Sequence, residues 1–255
     1  MNPRDIPDDA IVISRRDLDQ GGPVDLFSSL HDVVRRLRSA LIHDDEISPV
    51  VFEYTDVYVY TIMVMDDGGH SDYAGNYLHG ADECGVTGHA VRECARVRAG
   101  IEALGRPAAL EVWDRFVAVE NGPNDEYRLR NDRFTELDDQ FDWDLQKANV
   151  ERLLAHPKLV VLDNDQIDEY VAARKERSNY EARRRNAFAA LPSDLLEEMT
   201  RFEKRADLVW ATGSKTVDGT PVKTYHLRTQ DPSRPTGGAL LEFPDGTFRY
   251  EPPQW

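Results

Sequence analysis

The sequence predicts an α+β protein in which a mixed sheet with a buried central strand is flanked by helices. Leu26, Leu30, Val33, Leu37 and Leu41 recur at helical spacing. The run 57–65 is apolar on both alternating faces, as in a strand covered on both sides. Near the C-terminus, Pro244-Asp-Gly246 between two alternating segments predicts a hairpin. We therefore expect the strand 57–65 among helices, then a helical segment, and last an antiparallel β-meander.

The first half of the chain divides into short predicted elements. An acidic arm carries an edge strand at Ile11–Ile13 and precedes a helix over Val24–Ile42. The pattern then predicts strands at 50–55 and 57–65. After these strands it predicts a helix over Ala90–Leu104, ended by Gly105 and Pro107, and a strand or short helix over Ala108–Val112. Next comes a predicted hairpin of Phe116–Glu120 with Glu126–Arg130 across Asn121-Gly-Pro.

The second half is predicted to be helical and then β. Its elements are a helix over Trp143–Ala155, a strand over Lys158–Leu162, a long helix over Gln166–Ala190, a helix from Pro192 to Asp207, and β-turns at Asp218-Gly219 and Pro244–Gly246. We interpret the acidic cluster Asp138, Asp139, Asp142 and Asp144 as complementing a helix dipole. It lacks the glycine and terminal glutamate of a calcium loop.

Charge divides the chain near residue 164. Residues 1–165 hold 33 acidic against 17 basic residues, whereas residues 166–255 hold 14 of each. This predicts an acidic α+β domain over 1–164 and a domain of long helices and hairpins over 165–255, with one continuous domain as the alternative. The acidic surface favours a basic protein partner or simple solvation over nucleic acid or anionic lipid. No apolar run spans a membrane, and two cysteines suit a reducing cytoplasm.

The region 79–94 holds the first candidate metal site. Cys84 to Cys94 reads Cys-Gly-Val-Thr-Gly-His-Ala-Val-Arg-Glu-Cys, with His89 in the middle. This spacing resembles the last three ligands of a zinc knuckle of retroviral nucleocapsid proteins, over about a dozen residues. The family's first cysteine falls at Ala81, so His79 or Asp82 would have to supply the fourth ligand. The resemblance implies one zinc and a nucleic-acid-associated role; the alternative is a buried free Cys94 and an incidental Cys84.

A second candidate site follows the run 57–65. Asp66, Asp67 and His70 combine carboxylates and an imidazole at the end of a predicted central strand. A divalent metal held there would lower the pKa of bound water, and a free carboxylate would act as general base. The alternative is turn chemistry, because Asp-Asp-Gly-Gly is a good turn sequence. Elbow and phosphate-loop motifs are absent from the sequence.

A candidate binding surface lies on the predicted helix 166–190. Arg174, Arg177, Arg184 and Arg185 fall within a stripe of about 100° at 3.6 residues per turn. Such a stripe with nearby tyrosines suits phosphates and bases, or the acidic part of this chain or of a second copy. Because a complete catalytic motif is lacking, we expect a cytoplasmic, non-catalytic accessory or regulatory protein that acts by protein–protein interaction. The alternatives are a metal-dependent hydrolase at Asp66, Asp67 and His70, and a nucleic-acid-associated protein.

Overall fold

A computed structural model describes residues 2–75, 89–121, 127–202, 211–227 and 238–252. The chain forms two compact units that interleave along the sequence. The mixed unit comprises Met1–Gln20, Ser28–Ser48 and Val160–Trp255, and the helical unit comprises Gly21–Phe27 and Pro49–Leu159. The predicted α+β class is confirmed. The division into folding domains 1–164 and 165–255 stays a prediction.

The N-terminal region follows the sequence pattern. Strand β1 (Ile11–Ser14) is buried and pairs with β2 (Leu159–Leu162) in a small parallel sheet. Helix α1 spans Arg15–Gln20 and α2 spans Pro23–Ser39, close to the predicted limits 24–42. In α2, Leu26, Leu30, Val33 and Leu37 are all buried, as their spacing predicts.

The predicted strands 50–55 and 57–65 are wrong. Helix α3 spans Pro49–Ile62 and continues as a π-helical segment, Met63–Gly68. Its residues are buried around most of its circumference because it packs against α5 (His89–Ala103) and α8 (Leu145–Leu154). A helix buried on most sides has no polar stripe, and its β-branched and aromatic residues also satisfy a strand pattern. The close fit shows at Gly100 of α5, where a Cβ would lie 2.5 Å from Cγ2 of Val57.

The described residues of the helical unit form three further helices. Helix α4 is short (Gly69–Asp72), α6 spans Pro107–Glu120 and α7 spans Tyr127–Asp138. The predicted hairpin of 116–120 with 126–130 is therefore wrong where the structure describes it, because residues 116–120 end α6 and 127–130 begin α7. Proline at the start of α6 suits a helix N-terminus, where its missing N–H is not needed. Helices α5 and α8 confirm the helices predicted at 90–104 and 143–155.

The predicted long helix 166–190 is interrupted in the mixed unit. Helix α9 spans Asn164–Arg177 and α10 spans Tyr180–Ala189. Between them Asn179 has φ 53°, a left-handed conformation that ends a helix and that asparagine adopts more readily than most residues. Helix α11 spans Ser193–Phe202, within the predicted range, whose end at Asp207 lies outside the described residues.

The C-terminal meander is confirmed as a four-stranded antiparallel sheet. Its strands are β3 (Ala211–Val217), β4 (Thr220–His226), β5 (Ala239–Glu242) and β6 (Phe248–Glu251), in that spatial order. Val217 pairs with Thr220 across the turn, where Asp218 and Gly219 have φ of 50° and 79°. Two positive φ values are the signature of a type I′ hairpin turn. Within the described ranges, no helix combines the length and the apolarity needed to cross a membrane.

Candidate functional site

The candidate site is a chain of three hydrogen-bonded side chains inside the helical unit. Tyr60 comes from α3, His70 from α4, and Asp138 from the last residue of α7. His70 Nε2 lies 2.8 Å from Tyr60 Oη, and His70 Nδ1 lies 2.6 Å from Asp138 Oδ1. The same Asp138 oxygen accepts the backbone N–H of His70 at 2.8 Å. We call this set the Tyr60–His70–Asp138 chain.

The backbone before His70 departs from regular helix. The π-helical segment ends at Gly68 (φ 143°), and Gly69 has φ 80°, a value that favours glycine. A Cβ on Gly69 would lie 2.2 Å from Oδ2 of Asp138. Glycine therefore lets the backbone approach the carboxylate closely enough for the His70 amide and ring to share one oxygen.

Aromatic rings enclose the Tyr60–His70–Asp138 chain. The centroid of the Tyr60 ring lies 4.8 Å from that of Trp113 and 5.3 Å from that of Tyr73, both in edge-to-face geometry. The His70 ring lies 5.2 Å from the Phe116 ring and 6.2 Å from the Phe141 ring. The His70 residue is 0% exposed, and Tyr60 is also buried. The chain therefore lies in the core and does not line an open cleft.

Burial determines the protonation states in the Tyr60–His70–Asp138 chain. It lowers the pKa of His70, although the hydrogen bond and charge of Asp138 act in the opposite direction. It raises the pKa of Tyr60, and the charge of Asp138 adds to this effect. The neutral imidazole therefore donates Nδ1–H to Asp138 and accepts the Tyr60 hydroxyl at Nε2. With both ring nitrogens engaged, the arrangement orients and satisfies buried polar groups, and it offers no lone pair to a metal or a substrate.

The lowered pKa of His70 predicts a dependence of stability on pH. The unfolded chain, with a histidine pKa of about 6.5, takes up a proton more readily than the folded chain. The contribution of neutral His70 to stability should therefore be fully present above about pH 6.5. The free energy of unfolding should fall as the pH drops below that value. In urea unfolding from about pH 7 to 5, we expect a shallower fall for His70→Gln than for the original chain.

His156 provides the control for this measurement. Its pKa is also lowered, by burial and then by the charge of Arg152, but its side chain is partly exposed. His156→Gln should therefore remove a smaller part of the slope than His70→Gln. Equal slopes in the original chain and in His70→Gln would contradict the assignment of a buried neutral imidazole.

The structure describes the side chains of two of the three predicted hydrolase residues, Asp66 and His70. Asp66, on the π-helical segment, is exposed, whereas His70 faces the core. The side chain of Asp67 lies outside the description of the structure. The carboxylate that His70 contacts is Asp138, which is 68 positions away in the sequence. From the sequence, Asp138 was interpreted only as one of the acidic residues that complement a helix dipole. No short sequence motif links Asp138 to His70.

The predicted metal ligands lie partly outside the described residues. His79 and Cys84 fall in the range 76–88, which is not described, and for His89 only its place at the start of α5 is described. Cys94 is a free cysteine on α5, half-buried against the aromatic core. Burial, followed by the charge of Glu93, raises the pKa of its thiol to about 11. Within the described ranges, no group of three or more candidate ligands forms a metal site.

The four predicted binding arginines do not form one stripe, because the helix ends between them. In the mixed unit, Arg174 donates to the carbonyls of Asp8 and Glu46, at 3.0 and 2.7 Å. Arg177 donates to the Asp8 carboxylate at 2.8 Å and to the carbonyl of Arg4. After the break, Arg184 packs over the Phe188 ring at 4.5 Å, and Arg185 is exposed. The first two arginines thus hold the N-terminal arm.

A neighbouring arginine that the sequence did not indicate also has a structural contact. Arg183 of α10 donates to both carboxylate oxygens of Glu242 on β5, at 2.9 and 2.7 Å. The Tyr225 hydroxyl of β4 also donates to Glu242, at 2.5 Å. This bidentate pair fixes α10 on the sheet and contributes no binding surface.

An exposed aromatic residue lies on the surface of the helical unit. Trp143, in the turn 139–144 between α7 and α8, is 60% exposed and makes an edge contact with Phe141 at 5.4 Å between ring centroids. Phe141 is buried and packs against Tyr60. We call residues 139–144 the acidic turn, since it contains Asp139, Asp142 and Asp144. An exposed tryptophan is common among residues that dominate protein interfaces.

Comparison with protein-family models, with curated proteins and with solved structures finds no match for this chain.

Proposed function

We propose that the protein is a non-catalytic accessory or regulatory protein that acts by binding another protein. The observation that carries this proposal is the exposure of Trp143 in an acidic turn, next to a core whose reactive side chains are engaged with one another. The net charge of −16 favours a partner with a basic surface. A second copy of the chain is the alternative partner. We propose the cytoplasm as its compartment, because a free cysteine is compatible with a reducing environment.

The other two functions have less support. A hydrolase at Asp66, Asp67 and His70 would need His70 to reach a metal or a substrate, but its ring is buried and both nitrogens have partners. A nucleic-acid surface on the arginines would need Arg174 and Arg177 to be available, but both hold residues 4–8. A net negative chain also repels phosphate.

The proposal is tested by isolating a partner and rebuilding the complex. The tagged full chain would be crosslinked in its source cells, and the enriched protein would be identified and purified. Mixing the two pure proteins should give a complex of defined stoichiometry in light scattering. Its dissociation constant should rise as salt increases, because screening weakens charge complementarity.

The opposite result is catalysis. The pure chain would be screened against phosphoester, peptide and glycoside substrates with magnesium, manganese or zinc. Turnover that is lost in Asp67→Ala, with an unchanged circular dichroism spectrum, would overturn the proposal and restore the hydrolase. Exposed Asp165, replaced by Asn in the mixed unit, is the matched control.

A further inference from the structure

The acidic turn combines an exposed ring with two carboxylates that pair with no cation among the described residues. Asp138 is engaged by His70, and Asp142 pairs with Arg106 at 3.1 Å. Asp139 and Asp144 are exposed, and neither pairs with a cation among the described residues. The turn that carries Trp143 therefore keeps two unneutralised negative charges.

The backbone holds this turn in one conformation. The N–H of Phe141 donates to the carbonyl of Asp138 at 3.2 Å, and the N–H of Leu145 donates to that of Asp142 at 3.0 Å. The N–H of Asp144 also donates to the Asp142 side chain at 3.1 Å. Phe141 anchors the middle of the turn in the core, so binding here would cost little ordering of the backbone.

We propose that the acidic turn is a docking surface for an arginine-bearing segment of a basic partner protein. This inference rests on the proposed protein-binding function and names the partner chemistry. The face of an indole attracts a cation, and a planar guanidinium can stack on it while donating to nearby carboxylates. Asp139 and Asp144 supply charge complementarity, and the same charges repel phosphates and anionic lipid headgroups.

The probe is a fluorescein-labelled peptide of four Arg-Gly repeats, titrated with the full chain in low salt and followed by fluorescence anisotropy. The original chain should bind it more tightly than the matching Lys-Gly peptide, since lysine lacks the planar fork. Trp143→Ala and Trp143→Leu should each weaken binding about five- to tenfold. The leucine variant keeps an apolar side chain, so weaker peptide binding by this variant would point to the face of the indole ring.

Matched controls separate this surface from general charge attraction. Asp139→Asn with Asp144→Asn should weaken binding, whereas Glu111→Gln with Asp165→Asn, at exposed sites elsewhere, changes the net charge equally and should change binding less than twofold. Leu154→Ala, at another exposed apolar residue of the helical unit, should also leave binding unchanged. Circular dichroism checks that each variant is folded.

Three results would overturn this inference. One is equal binding by the Trp143 variants and the original chain; another is no binding of the arginine peptide even in low salt. The third is a dimer of the original chain that Trp143→Ala dissociates, which would make a second copy the occupant. Each of these results leaves open whether the protein is catalytic, which the substrate screen decides separately.

Discussion

Trp113→Ala should lower the free energy of unfolding of the helical unit by about 3–5 kcal/mol. Trp113, on α6, is 1% exposed, and its ring centroid lies 4.8 Å from that of Tyr60 and 5.4 Å from that of Phe116. Removing the indole loses its buried apolar area and leaves a cavity among rigid rings that cannot fully close it. Urea unfolding followed by circular dichroism measures the loss, and amide hydrogen exchange in α3 and α6 locates it.

Trp143 supplies the control of the same residue type. Its side chain is mostly in solvent, so Trp143→Ala should change the free energy of unfolding by less than about 0.5 kcal/mol. Similar losses in the two variants would contradict the assignment of Trp113 to the core and of Trp143 to the surface. The same control shows whether the docking test uses a folded protein.

Asp138→Ala should cost about 3 kcal/mol of stability, because it leaves buried hydrogen-bond donors without an acceptor. Asp138 accepts both the ring Nδ1–H and the backbone N–H of His70. The ring of His70 cannot turn to water, since aromatic side chains surround it. Urea unfolding at pH 7.5, where the histidine is neutral, isolates this loss from proton uptake.

The neighbouring Asp139→Ala removes an exposed carboxylate and should leave the free energy of unfolding within about 0.5 kcal/mol of its original value. The double variant His70→Phe with Asp138→Ala removes the ring Nδ1–H donor and its acceptor together and leaves only the backbone N–H of residue 70 without Asp138, so its cost should be smaller than the sum of the single costs. Additive costs would mean that the two side chains do not interact in solution.

The sequence was informative where a short pattern determines the backbone. The leucines of α2 form one apolar face, and Asp218-Gly219 and Pro244–Gly246 supply the turn residues of two hairpins. In each case the residues that predict the element belong to that element or lie within a few residues of it. The elements therefore did not depend on packing against distant parts of the chain.

Helix α3 shows where a prediction from the local sequence pattern fails. Its valines and tyrosines favour strands when taken singly, and burial on most sides removes the polar stripe that marks a helix. What determines α3 is its packing against α5 and α8, and the sequence does not display that packing. The Ser178-Asn179 pair is different: both residues disfavour a helix interior, so the break between α9 and α10 had a local signal.

The candidate site was only partly accessible from sequence. His70 was a candidate residue from the sequence, but its two partners were not: Tyr60 belongs to a helix predicted as a strand, and Asp138 ends a helix whose first residues were predicted as a hairpin strand. Their meeting depends on how α3, α4 and α7 pack. The metal assignments to His79, Cys84, His89 and Cys94 and the binding assignments to Arg184 and Arg185 stay predictions.

The interleaving of the two units has a consequence for the order of folding during synthesis. Contacts within the mixed unit join distant positions: Arg174 meets Asp8 across 166 positions, and Lys223 meets Glu46 across 177. At ribosomal speed the segment between them takes on the order of ten seconds to emerge. The continuous segment 49–159 can thus fold first, while residues 1–20 and 28–48 wait for the last third of the chain. This protein is expected to mature from its middle outward and not from its N-terminus onward.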